Sequence, residues 1–195
     1  KEIIFKNNLK SGLLRLMITR GNIEGPPWLY EGPAGIYITI RPFSIEPNHP
    51  VNVIFYPEKN YPIIRFSPAL KSLNYIGNML AKKDAEQEDA FEPIFYNNEG
   101  FITECAIRNI FFIQENRLIT PSLELGILPG VMRETIIYIS KKSKLFIEET
   151  KIDVNSINDM DEAFISSTGI GLLPCKWKNW NSDFYKTIEL KKKLE

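Results

Sequence analysis

LKSLNYIGNMLAKKDA (70–85) is the stretch on which the reading of this chain turns. Leu73, Ile76, Leu80 and Ala81 recur at helical spacing, which predicts an amphipathic helix over about 72–86. Lys71 then stands at its threshold, where a strand gives way to a helix. A lysine that bonds an aldehyde must be held and partly desolvated, and a helix start packed on a sheet does both. The plain alternative is a surface lysine at a helix N-terminus, although the helix dipole is positive there and disfavours a cation.

Three later segments carry chemistry of their own. In FITECAIRNIFF (101–112), Glu104 closes an apolar strand. A carboxylate there needs a partner. A protonated ring nitrogen would serve, as would an ion pair with Arg108 or exposure at the strand end. LPGVMRET (128–135) offers Gly130 and then the free N–H groups of a first helical turn at Val131 and Met132. That is an anion site or an ordinary helix start. In FISSTGIGLLP (164–174), SSTGIG brings hydroxyls and glycines after a strand, which suits a second phosphate wall or a plain turn. It matches neither the Walker pattern nor the GxGxxG spacing.

Outward from these segments, strands are expected at 13–19, 36–43, 51–56, 91–96, 100–104, 109–114, 117–120, 145–149 and 162–166. NNEG (97–100) is a hairpin turn, and a second helix follows Pro129. The expected class is mixed α/β. A partial small domain over 1–45, a linker at 46–50 and a larger domain over 51–195 follow from the Gly/Pro/Asn punctuation. The loop at 21–35 is long, and Trp28 and Tyr30 are expected to be exposed on it.

Composition narrows the function. The 195 residues are 44% hydrophobic, with 24 basic and 24 acidic residues, so a real core is expected and nothing points to nucleic acid or an acidic membrane. No apolar run approaches the ~20 residues of a membrane span. Cys105 and Cys175 make neither a disulfide framework nor a zinc pattern, which suggests a reducing, cytoplasmic setting. His49, the single histidine, reads as a loop residue, so a Ser–His–Asp hydrolase or a histidine metal centre is not expected. Lys191–Lys193 read as a solvated tail. The start, KEIIFKNN, shows no secretory signal and no methionine, and fits a fragment.

Taken in order, these segments resemble the class IV aminotransferases, the fold-type IV pyridoxal-phosphate enzymes, over about residues 10–175. Lys71 to Glu104 is 33 residues and Glu104 to Thr168 is 64, close to the family pattern. The resemblance implies a partial small domain followed by a pseudobarrel-like domain that binds pyridoxal 5'-phosphate. It implies that Lys71 bonds the cofactor aldehyde, that Tyr75 meets the ring hydroxyl, and that Glu104, with Asn109 in NIFF, serves the pyridine nitrogen. Val131 and Met132 would hold the phosphate through backbone amides, with Ser167 and Thr168 beside them. Gly169 and Arg15 or Arg20 would meet the substrate, and a homodimer is implied. The family's longer N-terminal domain, which supplies an arginine for the phosphate, does not appear. The short aromatic segment CKWKNWNSDFYKTIEL and the Cys after Glu104 lean toward aminodeoxychorismate lyase, a step toward folate. A branched-chain or D-amino acid aminotransferase and a truncated, non-catalytic relative are the alternatives.

Overall fold

Short β-branched and aromatic runs broken by Gly, Pro and Asn favour strands with tight connections. The computed structural model describes residues 2–10, 12–29, 31–43, 47–143 and 145–194, in two compact units, 1–46 and 47–195. In the first, helix α1 (Glu2–Lys6) precedes strands β1 (Leu13–Thr19) and β2 (Gly35–Arg41), which pair antiparallel along their whole length. Leu14, Leu16, Ile18, Ile36 and Ile38 are exposed, and no described residue of this unit is buried. A two-stranded ribbon with no covered face is marginal in water. The loop between its strands carries Trp28, 79% exposed. Tyr30 lies outside the described residues.

The second unit runs β3 (Val51–Pro57), α2 (Ile76–Gln87), β4 (Glu92–Tyr96), β5 (Ile102–Cys105), β6 (Asn109–Gln114), β7 (Arg117–Pro121), α3 (Val131–Lys142), β8 (Phe146–Thr150), β9 (Glu162–Ser167), β10 (Gly171–Lys176) and α4 (Tyr185–Leu194). Its eight strands form one mixed sheet in the order β5-β4-β3-β10-β9-β6-β7-β8. The β10–β3, β3–β4 and β7–β8 pairs are parallel and the others antiparallel. Edge strand β5 comes back against β6 and β7, so the sheet curls on itself.

Both faces of the middle strands are covered. On β6, Ile110 and Phe112 enter the core inside the curl with Ile94, Ile102, Ile165 and Leu173. Phe111 and Ile113 enter a second core with Phe164, Leu172, Ile136 and Leu190, under α3 and α4. Alternate residues of a strand point to opposite faces, so two cores require the unbroken apolar run IFFI (110–113). Helix α2 buries Gly77, Ala81 and Ala85, one narrow face at four-residue spacing. A Cβ on Gly77 would lie 2.5 Å from the Pro62 carbonyl oxygen, so only glycine lets α2 press this closely on the preceding segment.

Three differences from the sequence reading have clear causes. Helix α2 begins at Ile76, not 72, because the Ser72 hydroxyl accepts from the Asn74 amide at 3.0 Å and holds a turn that competes with helix. Strand β10 was not expected, since Pro174 sits in it without an amide proton; it nonetheless pairs opposite Phe164 in the middle of the sheet. Lys191–Lys193 form the last turn of α4 and are not a loose tail. Buried Glu162 holds the start of that helix: its Oε1 accepts from the Lys186 amide at 2.8 Å and its Oε2 from the Thr187 amide at 2.7 Å. A carboxylate at the positive end of a helix serves both orphan amides and the dipole.

Glu162→Ala should therefore cost about 2–4 kcal/mol, since two charge-assisted bonds are lost and their donors stay buried. Urea unfolding measures this, and hydrogen exchange should quicken over 185–194. Unchanged exchange there would show that α4 is held by its apolar face alone.

Candidate active site

The ends of β5 and β9, the start of β6 and the N-terminus of α3 meet the irregular segment before α2 around a cavity of about 400 Å³. Lys71, Tyr75, Glu104, Asn109, Val131, Met132, Ser167 and Thr168 all line it. Gly169 does not reach its wall. Arg15, in β1, and Arg20, just after it, belong to the first unit and are exposed.

Lys71 is exposed and stands five residues before α2, so neither the expected desolvation nor the expected helix threshold holds. Its position is set by Tyr75, the N-cap of α2, whose Oη accepts from Lys71 Nζ at 3.3 Å. The ammonium also lies 5.9 Å from the Tyr75 ring centroid. An amine and a phenol are thus held together at the mouth of the cavity.

Glu104 is engaged at both oxygens. Oε1 accepts from Arg65 Nη1, and Oε2 accepts from the Leu128 amide at 3.1 Å. Burial pushes its carboxyl up, against the opposing pull of the Arg65 guanidinium and the Leu128 amide. Arg108, one of the alternative partners considered for Glu104, bonds instead to Glu92, which is fully buried on β4 and also accepts from the Ile107 amide at 3.0 Å. That pair fixes the 106–108 turn, which forms part of the cavity wall. Asn78 of α2 donates to the Ala106 carbonyl at 2.8 Å from the other side.

The far wall is backbone. Gly130 caps α3 without any side-chain bond to the helix, leaving the first-turn amides at Val131 and Met132 for a ligand. Asn109 Nδ2 donates to the Leu128 carbonyl at 3.0 Å and holds this corner to β6. A Cβ on Gly130 would fall 2.2 Å from Asn109 Oδ1, so any larger residue there must displace the Asn109 amide from its bond to Leu128. Ser166, opposite Asn109 in the β6–β9 register, lines the cavity with a buried hydroxyl that has no partner among the described residues. A buried polar atom left open on a cavity wall costs stability unless something there uses it.

The amino-transferase class IV family model matches residues 1–177. This chain belongs to the class IV aminotransferases. Over 177 residues it is 30% identical to a D-alanine aminotransferase of Listeria monocytogenes serotype 4b, covering 89% of this chain and 61% of that protein. It is 32% identical over 105 residues to the aminodeoxychorismate lyase of Bacillus subtilis, covering 54% and 36%. A solved Legionella pneumophila structure, provisionally named a 4-amino-4-deoxychorismate lyase, superposes with a TM-score of 0.85 at 26% identity, over 100% of this chain and 74% of that one. The chain thus spans about three-fifths of the length of the curated relatives it matches.

Class IV aminotransferases are pyridoxal-phosphate enzymes, and the donor set fits that group. The α3 amides and the hydroxyls of Ser166, Ser167 and Thr168 suit a phosphate, Glu104 suits a protonated ring nitrogen, and Lys71 offers the amine. The motifs reached most of this wall. The SSTGIG segment included Ser166, but the contacts were assigned to Ser167 and Thr168; Arg65 was missed altogether, its signal being a lone cation in the apolar run PIIRF (62–66).

Gly130→Ala should lower stability by about 1–3 kcal/mol through overpacking, read as a drop in thermal unfolding midpoint. Adding Asn109→Ala should recover part of that loss by removing the clashing oxygen. A double variant no more stable than Gly130→Ala would show that the close approach to Asn109 is not the cause.

Proposed function

We propose that residues 47–195 form the cofactor-binding unit of a pyridoxal-phosphate enzyme that acts on the amino group of a small substrate. The observation that carries this reading is the single cavity that holds Lys71, Glu104 and the open N-terminus of α3. The cofactor, when bound, supplies an electron sink for a carbanion next to the substrate nitrogen. Lys71 Nζ, once displaced by the substrate amine, takes the proton from the carbon bearing that amine. Tyr75 Oη keeps Nζ at the cavity mouth, and Glu104 holds a proton at the ring nitrogen. The α3 amides and the three hydroxyls bind the phosphate and set its orientation.

For the reaction we take the lyase reading. 4-Amino-4-deoxychorismate would be split to 4-aminobenzoate and pyruvate, with Lys71 Nζ returning its proton to the enolpyruvyl methylene as pyruvate leaves. The Legionella match, which covers this whole chain, supports it. Transamination is the second reading, favoured by the D-alanine aminotransferase relative, which aligns over more of this chain than the Bacillus lyase. There Lys71 Nζ would take the same proton from the carbon bearing the amine, with no bond to oxygen broken in the substrate. Pyruvate release with no amino acceptor selects the lyase, and dependence on a 2-oxo acid selects the transaminase.

With pyridoxal phosphate added, the protein should show a visible absorption band that Lys71→Ala abolishes together with turnover. At saturating pyridoxal phosphate, Glu104→Gln should still take up the cofactor, though more weakly, and lower turnover by about 10²-fold, the scale of one well-placed electrostatic contact. A band unchanged in Lys71→Ala would remove the lysine assignment.

A homodimer completes this reading. The loop at 20–34, between β1 and β2, exposes Trp28, and the strands around it expose Leu14, Leu16, Ile18, Ile36 and Ile38 on one shared face. Loops this long are uncommon unless they serve a contact. Light scattering should give twice the chain mass. A monomer active at high dilution would overturn both the dimer and the role of the loop.

A further inference from the structure

Arg65 sits in an apolar run, PIIRF, where a guanidinium must find acids. It finds two. Its Nε donates to Glu58 Oε1 at 3.0 Å, its Nη1 donates to Glu104 Oε1, and its Nη2 donates to Thr103 Oγ1 at 3.1 Å. Thr103 Oγ1 in turn donates to Glu58 Oε1 at 2.7 Å. The planar fork therefore joins the segment after β3 to neighbouring residues of β5, and all of its edges are used. The Arg65 side chain is 21% exposed and that of Glu104 14%, so water screens this pair poorly.

We propose that Arg65 is a positioning residue: it holds Glu104 ionised and turned toward the cavity, so that a ring N–H in that cavity meets a carboxylate rather than a carboxylic acid. This rests on the pyridoxal-phosphate reading. The other charged and titratable groups around Glu104 do not do the task. Lys71 is bonded to Tyr75 at the mouth, and Arg108 donates to Glu92. Glu58 is a like charge and pushes Glu104 toward the neutral form, while the adjacent Cys105 thiol is raised well above its ordinary range by burial and stays neutral. Burial alone favours a neutral acid at Glu104, and a neutral acid carries no charge to keep a ring nitrogen protonated. A lysine in place of Arg65 would keep the charge as a point, without the fork that meets Glu58, Thr103 and Glu104 together.

The test begins without cofactor. In the full chain labelled with ¹³C at glutamate carboxyls, the Glu104 signal is the one missing from Glu104→Gln. Its titration midpoint should rise by about one pH unit or more in Arg65→Met, a tenfold gain in proton affinity, and Arg65→Lys should reverse at least half of that rise. Glu58→Gln should move the midpoint the other way, because it removes a like charge and leaves Arg65 to Glu104; this variant keeps the proposal exposed if Arg65→Met does not fold. With pyridoxal phosphate, Arg65→Met and Glu104→Gln should each weaken binding about tenfold, and the double variant should be no weaker than the worse of the two, since both lose the same carboxylate. An unmoved midpoint, or fully additive losses, overturns the role of Arg65. A midpoint that moves in a chain that binds no pyridoxal phosphate overturns the proposed function and the positioning role with it. A chain that binds the cofactor while the midpoint stays put loses only the role of Arg65.

Discussion

Two-sided burial of β6 is the constraint on which the rest depends. Its residues alternate between the core inside the curl and the core under α3 and α4, so neither side can be left open. β9 on one side and β7 on the other are locked in register against it. The start of β6 therefore has one place in the unit, and the end of β9 must lie beside it. Asn109 and Ser166 are cross-strand neighbours for that reason, and the cavity opens where these strand ends stop.

The polar groups around the cavity follow a related logic. Each charge that the fold takes out of water meets a partner from a distant part of the chain: Glu92 with Arg108, Glu104 with Arg65, Arg133 of α3 with Glu149 of β8. A buried pair adds little net stability, but breaking one is costly, so such pairs fix geometry more than they raise stability. Here they hold the 106–108 turn, the Glu104 carboxylate and the packing of α3, three pieces of one wall. The exception is informative. The Ser166 hydroxyl has no hydrogen-bond partner among the described residues, and it lines the cavity beside the N-terminus of α3.

Most strands were legible in the sequence because their signal is local. LLRLMIT, VNVIFY, NIFFIQ and EAFISS are apolar or alternating runs bounded by turn formers, and they form strands where expected. Lys71, Glu104 and LPG were legible because the chemistry needs those residue types in that order. Helix α4 was not, since KTIELKKKL carries a weak apolar face and its cap is Glu162, more than twenty residues upstream. Strand β10 was hidden by Pro174, which local rules exclude from a sheet interior.

By itself, then, the sequence determined most of the strands, the two helices α2 and α3 and the order of the chemical groups along the chain. These depend on propensity, periodicity and residue type, which act over a few neighbours. Only the tertiary structure decided which groups face one another. It paired Glu104 with Arg65 rather than the nearby Arg108, left Lys71 at an exposed mouth, kept Gly169 off the wall and made Ser166 part of it. Such pairings are set by the curl of the sheet and the register of its strands, where a shift of one residue turns every side chain to the opposite face.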